Sequence, residues 1–301
     1  MNAAVAADSD CRQCCMVTDY SLGARKNVNL GLHTMPGPKK GRKRKHEGST
    51  TDSGGSSSND SSATVKSRYF SAPKSITKPK PKKGARLPAS FFDKPCEDLA
   101  KSLLGQRLVH LLGSGERLSG TIVETEAYLG KEDSACHSYK GNRSSRVEAM
   151  YMSPGTCYVY LIYGMYDCLN ISSCGDGQAV LIRALEPKEG ILTMCKYRGR
   201  RRKNPTKEIK TRDLCSGPGK LTEALQINRA ETNKVNLATC SNFWLEAGQG
   251  PVEADNIVVC PRIGVDYATP EWVKKPLRYY IRGEQCVSKR NKEAEKAMES
   301  T

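Results

Sequence analysis

From residue 95 onward the apolar positions of this chain keep two rhythms, one of helices and one of strands. In PCEDLAKSLL (95–104), Leu99, Leu103 and Leu104 fall at helical spacing behind Pro95, which predicts a helix. GQRLVHLL (105–112) and LSGTIVETEAY (118–128) read as two strands, and Gly113-Ser114-Gly115-Glu116 between them is a hairpin turn signal. TCYVYLIY (156–163) and YDCLNISS (166–173) form a second β-rich pair about Gly164-Met165. AVLIRAL (179–185) is a short, nearly continuous apolar strand. EPKEGILTMCKY (186–197) predicts a helix, with Ile191, Met194 and Cys195 at i, i+3 and i+4. Gly217-Pro218-Gly219 opens another, KLTEALQI (220–227), and late strands lie in IVVCPRIGV (257–265) and LRYYIRG (277–283). Strands that come in hairpins, instead of alternating with helices, predict the α+β class: one domain on a curved, antiparallel-rich sheet with flanking helices. The chain shows no internal repeat.

Before residue 87 the rhythm is missing. Residues 47–65, EGSTTDSGGSSSNDSSATV, cannot bury enough apolar area to offset the entropy of ordering. The 301-residue chain has a formal net charge of +16, and residues 1–86 hold 17 Lys and Arg against 6 Asp and Glu. A disordered basic tail (1–86) is expected ahead of one domain (87–290), with a disordered C-terminal tail at 291–301. Two basic clusters, Lys39–Lys45 and Lys78–Lys83, fit nuclear import or contact with a polyanion; a purely solubilising tail is the alternative. No run approaches the ~18 apolar residues of a membrane span. The N-terminus lacks the order of a signal peptide, and Asp8 and Asp10 argue against a transit peptide. A soluble intracellular protein is expected.

Cysteine spacing decides against a metal site. Cys11, Cys14 and Cys15 form a lone C-x-x-C-C, the other cysteines are scattered singly, and only four histidines exist to complete a ligand set. Reduced thiols, no metal and no cofactor are expected. Gly219-Lys220 is no phosphate loop, because Leu214 stands where the earlier glycine is required.

Seven of the 13 tyrosines fall between residues 128 and 166. So dense a cluster suits a surface that stacks flat, partly polar ligands such as bases, or else a Tyr-rich sheet core. Strand parity puts Glu126 and Tyr128 on one face, and likewise Tyr158 and Tyr160. Tyr163-Gly164-Met165-Tyr166 would present aromatic and thioether groups at a hairpin tip, the shape of a wedge entering stacked DNA; a dimer contact or an inward-folding turn would use the same residues. Arg183 interrupts AVLIRAL and shares parity with Leu181 and Leu185. A guanidinium there needs a carboxylate, and Glu126 is one candidate, in a pair that is either structural or functional. The basic run Arg198–Lys203 either touches phosphates or is solvated.

Several segments then fall into a recognisable order: V-E-T-E-A-Y-L-G (123–130), H-S (137–138), M-x-P-G-T-x-Y-V-Y-x-I-Y-G-M-Y (152–166), L-N-I-S-S (169–173), R-A-L-E-P (183–187) and L-C-S-G-P-x-K-L (214–221). Together they closely resemble the alkyladenine DNA glycosylase family, also called 3-methyladenine or N-methylpurine DNA glycosylases. The likeness runs from about Arg86 to Lys289, and R-Y-F-S-x-P (68–73) looks like the segment before that family's domain.

The resemblance implies base excision repair by a monofunctional glycosylase without lyase activity. It would hydrolyse the N-glycosidic bond of damaged purines (3-methyladenine, 7-methylguanine, hypoxanthine, ethenoadenine) flipped out of double-stranded DNA. By matching position, Glu126 is the general base that activates water, and Arg183 helps hold that water with the carbonyl around Ile263. Tyr128, Ala135, His137, Tyr160 and Leu181 line the base pocket, and the His137 amide reads the base edge. Asn170 sits where a 2-amino group would clash. Tyr163 fills the vacated stack, supported by Met165 and Tyr166. A nuclear monomer that meets other repair proteins is expected, with the mitochondrion as a second location. One departure is Asp167, an acid beside the wedge where the vertebrate form is expected to carry an aromatic residue. The rival classes are a non-catalytic nucleic-acid-binding protein using the same wedge and tail, and an RNA-directed enzyme.

Overall fold

The structure, a computed structural model, describes residues 84–200 and 208–299. The C-x-x-C-C motif, the Lys39–Lys45 and Lys78–Lys83 clusters, Arg68-Tyr69-Phe70 and residues 201–203 of the basic run therefore lie outside the described residues.

In chain order the elements are α1 (Ala89–Phe92), α2 (Cys96–Leu103), β1 (Arg107–Leu111), β2 (Arg117–Tyr128), β3 (Cys157–Ile162), β4 (Tyr166–Ser172) and β5 (Ala179–Glu189), then α3 (Ile191–Gly199), α4 (Pro218–Ala224), α5 (Arg229–Thr232), β6 (Phe243–Glu246), β7 (Ile257–Cys260), α6 (Pro270–Lys274), β8 (Arg278–Ile281) and α7 (Lys292–Glu299). The eight strands form one sheet in the order β3-β4-β5-β2-β1-β6, every named pairing antiparallel. This is the expected α+β class. β2 is the axis of the sheet: β5 runs along one edge, while the other edge is shared by β1 at 117–121 and β8 at 124–126. The sheet forks there, and β7 extends the β8 branch.

Alternation along β2 separates two environments. Thr125 faces α2 and donates its hydroxyl to Ala100 O at 2.9 Å, so Glu124 and Glu126 face away from that helix. On the α2 side, Leu99, Leu103 and Leu104 pack fully buried with Ile122, Ile182 and Leu185 in the main core. The β2–β5 register shifts around Glu124, leaving Val123 and Arg183 without a partner position. Such bulges re-aim side chains. Leu185 consequently joins the main core instead of sharing a face with Arg183, which corrects the simple parity reading.

Other differences have local causes. The helix expected over 186–197 begins at Ile191, and residues 186–189 continue β5 against β2. Gly190 makes the break, with φ +74°, at a spot where a Cβ would lie 2.2 Å from Leu118 Cδ2 and 2.9 Å from Arg117 O. The strand expected over 257–265 stops at Cys260, where Pro261 lacks an N–H and its carbonyl accepts Arg278 Nε at 3.0 Å. β6 is an unanticipated strand, and residues 84–87 already bond along it through Gly84 N→Ala247 O and Leu87 N→Leu245 O. The expected tail from 291 instead contains α7. Its Glu295 is buried, accepting the Tyr280 hydroxyl at 2.8 Å and the Arg290 guanidinium at 2.7 Å. Among the described residues ten cysteines are free thiols, and no helix is long and apolar enough to cross a membrane.

Gly190→Ala should cost about 2–4 kcal/mol, combining the left-handed conformation with overpacking against Leu118. Urea unfolding of the two proteins measures this; a difference under about 0.5 kcal/mol, the scale of a neutral surface change, would show that the β5–α3 junction is slack.

Candidate active site

One row of paired residues crosses the sheet: Arg278 on β8 opposite Glu126 on β2, Leu181 on β5, Asn170 on β4 and Tyr158 on β3. Glu126 is fully buried, yet its two oxygens are treated differently. Oε1 accepts the Ile263 amide at 2.8 Å and lies 3.2 Å from Arg183 Nη1. Oε2 accepts the Tyr128 hydroxyl at 3.0 Å. Burial, and then the charge of Glu126, push the Tyr128 hydroxyl well above its ordinary range, so it stays a donor. Arg183 is itself nearly buried. Burial opposes its charge, but the Glu126 and Glu124 carboxylates more than offset this and raise its pKa. The group of Ile263 seen against Glu126 is therefore its N–H; the expected carbonyl contact would be to a water.

Beyond Tyr128 the chain turns through a loop anchored by Asp133. That carboxylate accepts the amides of Leu129 and Ala135, each at 3.0 Å, and pairs with both ends of Arg262 at 2.6 and 2.9 Å. Both side chains of this ion pair are wholly excluded from solvent. The Arg262 guanidinium also lies 4.6 Å from the centre of the Tyr128 ring.

The loop closes a pocket lined by Tyr128, Ala135, His137, Tyr158, Tyr160 and Asn170, with Cys136, Met150, Gly264 and Tyr267 completing it. Tyr158 and Tyr160 stack with ring centres 5.3 Å apart, and His137 stands edge-on to Tyr160 at 4.7 Å. His137 Nδ1 and the Tyr158 hydroxyl are hydrogen-bonded at 2.9 Å. Asn170 Nδ2 donates to Tyr158 O at 3.0 Å, which fixes the amide against the pocket wall. Leu181 sits between Glu126 and Asn170 in the row but is not among the lining residues.

Past the pocket, the β3–β4 hairpin ends in an apolar tip. Tyr163 is 54% exposed, Met165 53%, Leu161 45% and Tyr166 36%. Tyr163 and Gly164 have φ of +54° and +67°, and Met165 N bonds Ile162 O at 3.0 Å. Positive φ at both central positions is the type I′ pattern, which ordinarily selects Asn-Gly. A tyrosine held there is strained by roughly 1–2 kcal/mol. Asp167 is half-buried, and its carbonyl accepts the Thr222 hydroxyl of α4 at 2.8 Å.

The methylpurine-DNA glycosylase family model matches residues 90–285. The chain belongs to that family. The match contains all the motifs from Val123 to Leu221. The chain is 49% identical over 226 residues to the DNA-3-methyladenine glycosylase of Homo sapiens, covering 74% of this chain and 72% of the relative. It is 48% identical to the DNA-3-methyladenine glycosylase of Mus musculus, over 74% of this chain and 65% of the relative. It is also 48% identical to the probable DNA-3-methyladenine glycosylase of Encephalitozoon cuniculi (strain GB-M1), over 64% of this chain and 88% of the relative. Like its family, the protein is a DNA N-glycosylase, a hydrolase of N-glycosyl bonds that acts on DNA in base excision repair. This sets aside the non-catalytic binding protein.

Several groups around this glycosylase site carried no signal in the sequence. Glu124, Arg278 and Ser288 meet beside Arg183, but 154 and 164 residues separate Glu124 from the latter two. Asp133 and Arg262 are 129 residues apart. Tyr158 was visible as part of the tyrosine cluster, whereas Cys136, Met150, Gly264 and Tyr267 were not. Burial pushes the Cys136 thiol up, so it lines the pocket uncharged. Of the basic run, Arg198 lies in α3 and pairs with Glu223 of α4, and the Arg200 guanidinium lies 4.6 Å from the centre of the Tyr197 ring. Among the described residues no three His, Cys, Asp or Glu side chains gather as a metal site requires.

Asp133→Asn strands the Arg262 charge in the interior and should destabilise the domain by about 3–5 kcal/mol. Denaturant unfolding reads this directly; a cost under about 1 kcal/mol would match an exposed pair and contradict the burial.

Proposed function

We propose that the enzyme flips alkylated and deaminated purines, among them 3-methyladenine, 7-methylguanine, hypoxanthine and ethenoadenine, out of duplex DNA and hydrolyses them from the sugar with water activated by Glu126. The observation that carries this reading is the unequal loading of the Glu126 carboxylate. Oε1 is occupied by the Ile263 amide and Arg183, while among the described residues Oε2 has the Tyr128 hydroxyl as its donor. An oxygen with a lone pair to spare, on a strand next to an aromatic slot, suits general-base chemistry. Water would lie against Oε2 and give up its proton there as its oxygen bonds to C1′. The C1′–N bond breaks with its electron pair leaving on the purine. A cationic methylpurine departs neutral; hypoxanthine must gain a proton as it leaves.

Specificity follows from the walls. The faces of Tyr128 and Tyr160, with His137 edge-on, favour flat electron-poor rings by stacking and cation–π attraction. Asn170, fixed by its bond to Tyr158 O, would clash with the 2-amino group of normal guanine, a penalty that the cationic 7-methylguanine offsets by cation–π attraction and a weaker glycosidic bond. Tyr163 would enter the gap left by the base, with Met165 and Tyr166 beside it. The strained turn holds the ring outward before DNA arrives, which lessens the cost of ordering it on binding. We further place the enzyme in the nucleus, on the basic clusters at 39–45 and 78–83.

Glu126→Gln should lower single-turnover release of hypoxanthine or 3-methyladenine from duplex DNA by roughly 100-fold or more. Lesion binding should stay within about tenfold, because phosphate contacts persist. Excision at near the parent rate would sink the base assignment, and faster release from RNA than from DNA would redirect the substrate reading. Tyr163→Ser should slow excision most where the damaged base is well paired, since unpairing costs a few kcal/mol and less at a mismatch. Equal losses on paired and unpaired lesions would remove the wedge role.

A further inference from the structure

Glu124 lies two residues before Glu126 on β2 and is equally buried. Its carboxylate takes four donors, three of them on one oxygen. Oε1 accepts Arg183 Nε at 3.0 Å, Arg278 Nη1 at 2.9 Å and the Ser288 hydroxyl at 2.9 Å, while Oε2 accepts the Ser288 amide at 2.7 Å. Four donors, two of them guanidinium groups, fix it in place. What it does share with Glu126 is Arg183, whose Nε serves one carboxylate and whose Nη1 serves the other.

The four charges Glu124, Glu126, Arg183 and Arg278 are all buried and sum to zero. The other groups facing Glu126 are neutral or already paired. Tyr128 on β2 is held protonated, and the Cys260 thiol on β7 is pushed up to about 11 by burial. The 262–267 segment brings the Ile263 amide, the Tyr267 hydroxyl bonded to Ala135 O, and Arg262 matched by Asp133. The balance of the four is thus the charge that Glu126 feels. Were Arg183 answerable to Glu126 alone, the carboxylate would be so well stabilised as an anion that it would accept a proton poorly.

We propose that Glu124 is a positioning residue for base excision: it draws part of the Arg183 charge away from Glu126 and, with Arg278, sets how readily Glu126 accepts a proton from water. This rests on the reading of Glu126 as the base.

The test is the pH dependence of single-turnover hypoxanthine release at saturating enzyme, where the rate rises with pH as the base loses its proton. Glu124→Gln leaves two guanidinium groups against one carboxylate and should move this rising limb down by about one pH unit, with a slower plateau, by the effect of unbalanced charge at close range. Arg278→Gln leaves two carboxylates against one guanidinium and should move the limb up by about as much. The double variant regains neutrality and should return the limb to within about 0.3 pH unit of the parent, well inside the shift that one charge produces. Glu124→Asp keeps the charge and should keep the limb, even where thermal unfolding shows lost stability. A merely structural cluster would lower stability and rate without moving the limb in opposite directions, so a fixed limb in whichever single variant folds overturns the proposal. If that happens while Glu126→Gln remains inactive, the base assignment stands and only the role of Glu124 falls. Activity in Glu126→Gln removes both.

Discussion

Arg183 lies almost out of water between Glu124 and Glu126, and a cation so placed costs several kcal/mol unless its partners are fixed around it. Much of the architecture does that fixing. A bulge in β5 frees Arg183 from the regular ladder, and shifts in β2 set the two carboxylates beside it. The fork of the sheet brings β8 alongside β2 where Arg278 can complete the set, and the chain after β8 returns to lend the Ser288 amide and hydroxyl. Buried ion networks seldom add much stability over apolar packing. Their use in this molecule is to hold two carboxylates in fixed orientations around one guanidinium.

A second buried pair divides the labour. Asp133 and Arg262 hold the loop that carries Ala135 and His137, and so shape the pocket without touching the Glu126 oxygens. The pocket wall and the Glu126 carboxylate thus rest on separate electrostatic anchors joined through Tyr128, which offers its hydroxyl to one and its ring face to the other.

Local rules made the hairpins legible: period-two alternation, the Gly-rich turns, and the shared faces of Glu126 with Tyr128 and of Tyr158 with Tyr160. An exposed tip at Tyr163 was one reading the hairpin allowed beside an inward-folding turn, and the exposure of Tyr163 and Met165 decides between them. The rest depended on events that a strand pattern does not encode. A bulge at Arg183 turns Leu185 away from it, and Gly190 cuts short a helix whose spacing looks continuous. α7 is read as tail because five of the eight residues of KEAEKAME are charged, yet Ala294 and Met298 pack on the core and Tyr280 and Arg290 give Glu295 a buried seat. Glu124 was in plain view within V-E-T-E-A-Y, but its meaning comes from residues met only after folding. The motif resemblance singled out Glu126 as the candidate base; geometry supplied its surroundings.

The fork in the sheet also fixes a sequence of events during synthesis. Glu124 and Arg183 emerge early, and the hairpin carrying Tyr163 can form from neighbouring segments, yet Arg278 and Ser288 arrive 154 and 164 residues after Glu124. Contacts at that separation are late and slow to close. A growing chain can therefore display its apolar hairpin tip before the buried charge cluster is complete. The buried cluster around Arg183 is among the last things this polypeptide completes, and it closes only when β8 has docked.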